Sequence, residues 1–329
     1  MALNLTELQA ATDDYIYNHQ PVDIYFKSNV LLYKLLKLGK KYNGGKKIQT
    51  FLEYGEGNSG SYGPKSELPI NKVEIFNAAF FEYAAYFATL TMDMDDELIN
   101  SGDLALINLL QGKLKNAEKT LRKRMSTEIY ERRADNLANQ DDPNAKPFNG
   151  LHDMFGIDEN GNALANTVAY GEIAENDMPQ WKPNVITAEK TMSFKTMQEI
   201  RRTAGLDVTN DAKPDLYITT EELVDAFERT QQVQARYSDQ KLLDVGFDNI
   251  LFKGAPLVPD SKCRAGWMYG LNTKYLDVLT HSKRNFTKPE WQSPIRQPDT
   301  ATANIRWAGN LVCKNRKAHV VVTNLVEPA

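Results

Sequence analysis

Ile107, Leu110, Leu114, Ala117, Leu121, Met125 and Ile129 recur at spacings of three and four. That rhythm lays them along one stripe of a helix and excludes a strand. The spacing predicts a single helix over residues 95–134. Asp93, Asp95, Asp96 and Glu97 stand before or in its first turns, and Arg122, Lys123, Arg124, Arg132 and Arg133 crowd its end. Both placements complement the helix dipole. Glu118 with Arg122, and Glu128 with Arg132, form i,i+4 pairs in the favourable order. Ser101-Gly102 marks an expected irregularity near the start. About 40 helical residues span about 60 Å, so this element is a beam against which the rest of the chain is arranged.

The second constraint is a long arm of opposite character. Lys46-KIQTFLEY-Tyr54 alternates and is rich in β-formers, which reads as a strand. Gly55-EGNSG-Gly60, Tyr62 and Pro64 follow as a loop. Lys72-VEIFNAAFFEYAAYFATLTM-Met92 then has a period ambiguous between helix and strand, and its place after a turn-rich loop favours a returning strand. An isolated two-stranded hairpin is marginal in water. Residues 46–92 nevertheless carry Phe51, Leu52, Tyr54, Ile70, Ile75, Phe76, Phe80 and Phe81. Before them, Leu31, Leu32, Leu35 and Leu36 mark one helical face ended by Asn43-Gly-Gly45, behind an extended stretch at Gln20-PVDIYFKS. This leading arm is too extended to build a core of its own.

The remaining segments are shorter. Residues 135–192 are rich in Asn, Asp, Pro and Gly, with a turn at Asp158-ENGN-Asn162. Met192 to Gly205 reads as a helix, and Asp215 to Gln232 as strand, Thr cap and helix, with Thr219 and Glu222 as a capping box. Asn249–Asp260 and Gly266–Leu279 look like paired strands, and Ala318–Leu325 is a C-terminal strand. The class is α+β with a long helix and two protruding arms.

Gly55-Glu-Gly-Asn-Ser-Gly60 spells G-x-G-x-x-G. A dinucleotide site needs the last glycine to open a helix whose N–H groups hold the pyrophosphate, and Ser61-Tyr-Gly-Pro64 prevents one. A kinase-type loop needs a V-A-I-K lysine, an H-R-D loop and a D-F-G motif, and the sequence has none. A nucleotide-binding enzyme is thus the remote reading, and a bendable hairpin tip the favoured one, because glycine permits positive-φ turns. His19, His152, His281 and His319 lack metal-site spacing, Asp93-MDDE-Glu97 lacks that of an EF-hand, and Cys263 and Cys313 have no catalytic context. No catalytic, cofactor-binding or metal-binding residue is expected.

Composition narrows the partners. A net charge of −4 does not call for a nucleic-acid partner, and Lys40, Lys41, Lys46, Lys47 and Arg122–Arg124 read as solvated or subunit-facing clusters. No run of roughly 18 apolar residues marks a membrane span. The start MALNLTELQAATDDY has no secretory pattern, and only two cysteines are present, so a reducing, cytoplasmic site of synthesis is expected. With no cofactor or active site in view, the surface best able to cover the arms is another copy of the chain. Exchanged arms make heterologous contacts, which close into rings or shells.

In this order the segments resemble the major capsid proteins of tailed bacteriophages, with the Hong Kong 97-type fold. The resemblance runs through Ser28-NVLLYKLLK, Gly44-GKKIQTFLEYGEG, Leu104-ALINLLQGKLKNAEKTLRKRMSTEIY, Phe148-NGLHDMF, Tyr170-GEI, Lys213-PDLYITTEEL, Arg236-YSD, Gly246-FDNILFKGAPLVPD, Tyr269-GLNTKYL and Ala318-HVVVTNL. It implies an N-terminal arm over 1–45, an E-loop hairpin and the start of the P-domain over 46–92, and a P-domain with spine helix over 93–212. It also implies an A-domain over 213–300 and closing P-domain strands over 301–329. Phe51, Tyr54, Gly55, Gly57, Gly60, Tyr62, Pro64 and Lys65 would then lie on a neighbouring subunit, and Asp260, Lys262, Arg264 and Gly266 near the capsomer axis. The implied function is self-assembly as pentamers and hexamers into an icosahedral shell around double-stranded DNA. The implied partners are a separate scaffolding protein, a portal, decoration proteins and DNA held without sequence specificity, and the implied location is the virion. Lys65 is suggestive of subunit cross-linking, but no matching Asn and acid accompany it. An encapsulin-like compartment is the alternative on the same fold, disfavoured by the arm and by residues 135–192.

Overall fold

The structure is a computed structural model that describes residues 29–53, 57–64, 67–68, 70–93, 103–165, 168–204, 213–230, 250–287, 290–293 and 299–328, with side chains from 110 onward in the stretch opening at 103. Its longest helix, α2, follows α1 (Val30–Leu38) and runs from Asp103 to Glu128. Leu110, Leu114, Ala117, Leu121 and Met125 are buried along one face, as the stripe predicts, and Ile129 follows just beyond the last turn. That face packs on β4 (Ala84–Asp93).

The helix ends earlier than its charge pattern suggests. Ile129 and Tyr130 turn their carbonyls to the N–H groups of Leu151 and His152 at 2.8 and 3.0 Å, and Glu128 O accepts from Asn136 Nδ2 at 2.9 Å. The helix end is thus satisfied by α3 (Arg133–Ala138) and α4 (Leu151–Phe155). Arg132 and Arg133 lie past it. Glu128 pairs with Arg124 at 2.8 Å, not with Arg132, whose guanidinium lies near Asp135 and Asp153.

A four-stranded sheet carries β4. Its order is β1 (Lys40–Tyr42), β11 (Leu276–His281), β12 (Thr300–Cys313), β4. A six-stranded sheet runs β5 (Asn184–Ile186), β13 (Val320–Val322), β10 (Met268–Leu271), β7 (Leu216–Thr219), β9 (Ala255–Pro259), β8 (Ile250–Phe252). β7, β10 and β13 are buried throughout, because alternate residues enter two cores. Ile218, Tyr269 and Val321 join the core below α2, while Tyr217, Met268, Val320 and Val322 join a second core under α5 (Phe194–Thr203) and α6 (Glu221–Thr230). Short β6 (Lys190–Thr191) and β14 (Leu325–Val326) pair in parallel beside it.

Several expectations are corrected. β10 and β11 do not pair with each other or with β8–β9 as one unit: β11 joins the four-stranded sheet and β10 the six-stranded one. The C-terminal β13 lies beside β10 in the six-stranded sheet, so residues 301–329 are shared between both sheets. Thr219 is no helix cap. It ends β7, and its hydroxyl donates to Trp267 O at 2.7 Å. The leading segment is not an arm from residue 29 onward, since Val30, Leu31, Leu32 and Leu35 are buried in the main core and β1 pairs with β11. Asn29 caps α1 through its side-chain oxygen, 2.8 Å from Leu32 N.

Candidate subunit interface

The predicted hairpin exists as β2 (Ile48–Glu53) and β3 (Phe76–Phe81), paired antiparallel from Ile48↔Phe81 to Glu53↔Phe76. Ile48, Thr50 and Leu52 face inward, while Gln49, Phe51 and Glu53 face out. Beyond the paired strands Tyr62, Leu68 and Ile70 are exposed, Ile70 at 94%, and Phe51 and Phe76 are 74% and 68% exposed. Several large apolar side chains with no cover on one protrusion mark a surface that binds.

Among the predicted contact residues, Phe51, Gly57, Gly60, Tyr62 and Pro64 sit together on this protrusion. Tyr54, Gly55 and Lys65 lie outside the described residues, as do 94–102 and 231–249. Neither Gly57 nor Gly60 takes a positive φ, so neither occupies a left-handed turn position. No atom comes within 4 Å of a Cβ placed at Gly60. The tip is an open loop, and the proposed need for glycine's left-handed freedom does not apply at these two positions.

The root of the hairpin is held by the Tyr170–Ile173 turn. Phe80 N–H donates to Gly171 O at 3.0 Å, and the Phe81 ring meets Tyr170 edge-on at 5.1 Å. A Cβ at Gly171 would stand 2.8 Å from Ala79 Cβ and 3.0 Å from Phe81 Cζ, and φ there is +65°. Lys47 pairs with Glu172 across the same junction. The resemblance singles out Tyr170-GEI, and close backbone approach is the physical reason a glycine stands there.

The predicted 260–266 segment also makes contacts within the chain. Asp260 is buried, accepting from Tyr130 OH at 2.6 Å and from Lys262 N at 2.8 Å. Arg264 lies over the Trp267 ring at 5.7 Å, and Gly266 O accepts from Leu325 N at 2.7 Å. Asp260 ties the six-stranded sheet to the end of α2, while Lys262, Arg264 and Gly266 are only partly buried.

Other ionisable groups are likewise internal. His152 Nε2 lies 2.9 Å from Tyr269 OH, and burial holds its imidazole down at about 3. His319 Nδ1 accepts from Asn272 N at 3.1 Å, and burial holds it at about 3 as well. Burial also raises both thiols, Cys313 to about 12, which favours the protonated form. Asp158 is engaged by its own turn, accepting from Asn160 N and Asn162 N at 2.9 and 2.7 Å. Among the described residues, no three His, Cys, Asp or Glu side chains gather as a metal site. No described helix is long and apolar enough to cross a membrane.

No protein-family model matches the sequence, and no curated protein matches it. Solved structures do. The cyanophage A-1(L) capsid asymmetric unit aligns over 87% of this chain and 90% of its own, with a TM-score of 0.66 at 16% identity. The capsid of Myoviridae phage XM1 aligns over 86% and 87%, with a TM-score of 0.53 at 10% identity. An encapsulin complex from Synechococcus elongatus PCC 7942 aligns over 90% and 88%, with a TM-score of 0.50 at 11% identity. The chain thus has the fold shared by capsid and encapsulin subunits. More closely, it is the Hong Kong 97-type phage capsid fold that the order of its segments implied.

Proposed function

We propose that this chain is the major capsid protein of a tailed bacteriophage, assembling as pentamers and hexamers into an icosahedral shell around packaged double-stranded DNA. The observation that carries the reading is the uncovered hairpin of Phe51, Tyr62, Ile70 and Phe76 on a body with a capsid fold. A lone subunit gains nothing by exposing those side chains, whereas a lattice buries each on the next copy. The hairpin within 46–92 is then the E-loop and α2 the spine helix. The four-stranded sheet is the core of the P-domain and the six-stranded sheet that of the A-domain. Residues 1–28 of the expected arm, a separate scaffolding protein, a portal, decoration proteins and non-specific DNA contact complete the reading. Its subunits are made in the host cytoplasm and reside in the virion, with no chemical step to perform.

The encapsulin-like compartment is the second reading, supported by the alignment with the Synechococcus complex. Negative-stain microscopy of the purified chain tests both. Closed shells or five- and six-membered rings are expected, and a discrete small oligomer overturns them. Shells recovered from infected cells with DNA inside favour the phage reading, and shells loaded with enzyme cargo favour the other. Replacing Gly55–Pro64 by a short turn should leave a folded subunit that assembles poorly. Normal shells from that variant would remove the E-loop assignment.

A further inference from the structure

Asn-Gly occurs three times in the chain, at Asn43-Gly44, Asn149-Gly150 and Asn160-Gly161. In such a pair the glycine amide nitrogen can close on the side-chain carbonyl carbon of the asparagine, because no Cβ on the second residue blocks the approach. Closure needs two freedoms: the peptide must rotate to bring the two atoms together, and the amide must be able to give up its proton. Local sequence offers both at all three places. The fold withdraws them at two.

Gly150 N–H donates to the Asp153 carboxylate, and a Cβ at Gly150 would stand 1.9 Å from Glu131 O. Asn149 is held as well. Its N–H donates to Asn310 Oδ1 at 3.0 Å, and its Oδ1 accepts from Arg133 Nη1 at 3.4 Å. At the third pair, Gly161 N–H donates to Asp158 O at 3.1 Å, which occupies the nitrogen that would attack. Asn160 N and Asn162 N both bond Asp158 Oδ1, and a Cβ at Gly161 would stand 2.8 Å from Thr323 Cβ.

Asn43-Gly44 is different. It lies between β1 and β2, outside either strand, and Asn43, Gly44 and Gly45 are all exposed. No atom comes within 4 Å of a Cβ placed at Gly44. Among the described residues neither Gly44 N–H nor the Asn43 side chain makes a hydrogen bond. The anchors stand one peptide away on each side: Tyr42 O accepts from Ser282 N at 3.3 Å, and Gly44 O from Tyr83 OH at 3.0 Å. Lys41 and Lys46, both exposed, flank the pair, and positive charge nearby favours an amide that must lose its proton.

We propose that Asn43-Gly44 is a self-modification site, which converts to aspartyl and isoaspartyl forms in the folded chain while the other two pairs stay intact. Gly44 N attacks Asn43 Cγ and gives its proton to a solvent base. The new C–N bond closes a cyclic imide, and the side-chain nitrogen takes up a proton and leaves as ammonia. Water then opens the imide at one carbonyl or the other, giving Asp or its isoaspartyl isomer with no change of oxidation state. The product sets a carboxylate beside Lys41 and Lys46. Its isoaspartyl form adds one backbone carbon to the joint between β1 and β2. Site and chemistry hold whether or not the chain builds a shell.

The test is incubation of the purified full chain in mildly alkaline buffer, with and without urea, followed by protease digestion and mass spectrometry of the three pairs. A protein isoaspartyl methyltransferase reports the isoaspartyl share. Without urea, Asn43 should convert about tenfold faster than Asn149 or Asn160, whose reaction waits on local opening. In urea the three rates should converge. Equal rates without urea, or faster conversion at Asn149 or Asn160, would overturn the proposal. So would an Asn43 that converts only in urea or not at all. Asn43→Gln, whose longer side chain closes the ring poorly, should abolish the methyltransferase signal of the folded chain, and a persisting signal would place the reaction elsewhere.

Discussion

The phenol of Tyr130 donates to Asp260 at 2.6 Å, joining the end of the long helix to the loop after β9 across 130 positions of chain. The other carboxylate oxygen is held by Lys262 N. One hydrogen bond therefore fastens the beam to the six-stranded sheet in a buried setting where either partner alone would be poorly solvated.

Tyr130→Phe tests that fastening. It leaves a buried carboxylate oxygen without its donor, at a cost of about 1–3 kcal/mol. Urea unfolding at neutral pH should show a lower midpoint with an unchanged slope. A midpoint equal to that of the unaltered chain would mean water replaces the phenol.

Gly150 and Gly60 offer a contrast between two glycines. A Cβ at Gly150 would stand 1.9 Å from Glu131 O, whereas one at Gly60 meets no atom within 4 Å. Gly150→Ala must push apart the end of α2 and the start of α4, with an expected loss above about 3 kcal/mol. Gly60→Ala should change stability by less than about 0.5 kcal/mol. Thermal unfolding of the two variants side by side checks both.

Arg316 is buried, donating from Nε to Met154 O at 2.6 Å, pairing with Glu175 at 3.1 Å and lying over the rings of Tyr170 and Trp181. Arg316→Met leaves Glu175 largely buried and unpaired, and should cost about 3–5 kcal/mol. Adding Glu175→Gln should recover part of that loss. A double variant no better than the single one would place the cost in the lost packing over the rings instead.

His319 predicts an acid response. Its folded value of about 3 lies below the unfolded 6.5, so the unfolded chain binds the extra proton. Its contribution is fully present above about pH 6.5 and is lost as pH falls towards 3. Replacing it by Asn, whose side-chain oxygen can still accept from Asn272 N, removes that titration. Stability against urea should then fall less steeply with acid, by about 1.4 kcal/mol per pH unit between about pH 6 and 3.5. Parallel pH curves for the two proteins would contradict this. Asp153, raised by burial to about 6, has the reverse sign: its contribution is present below about pH 4 and lost as pH rises through 6, in both proteins alike.

Local patterns carried much of the architecture. The three-and-four spacing from Leu110 to Ile129 is a property of one helix face and survives intact. The Asp158 turn bonds its own near neighbours, and the β2–β3 hairpin joins segments close in sequence. Signals of equal local quality failed where distant partners competed. Thr219 and Glu222 spell a capping box, yet Thr219 lies in a strand beside β10, where Trp267 O claims its hydroxyl. Gly150 and Gly171 look like ordinary loop glycines, and only the approach of Glu131 O and Ala79 makes them necessary.

What the sequence by itself determined was the class of the chain: its periodicities specify a beam, a hairpin and several short strands. Those are facts about neighbours within a few positions, where side-chain spacing alone sets which face is apolar. Only the tertiary structure decided which sheet each strand enters. β10 and β11 are separated by four residues and diverge into different sheets, while β13 joins β10 from the far end of the chain. It also turned Asp260 from a candidate surface residue into the acceptor of a buried phenol. The physical reason is common to both: strand pairing and burial are settled by which remote backbone edges and apolar faces remain to be covered, and no local spacing encodes that.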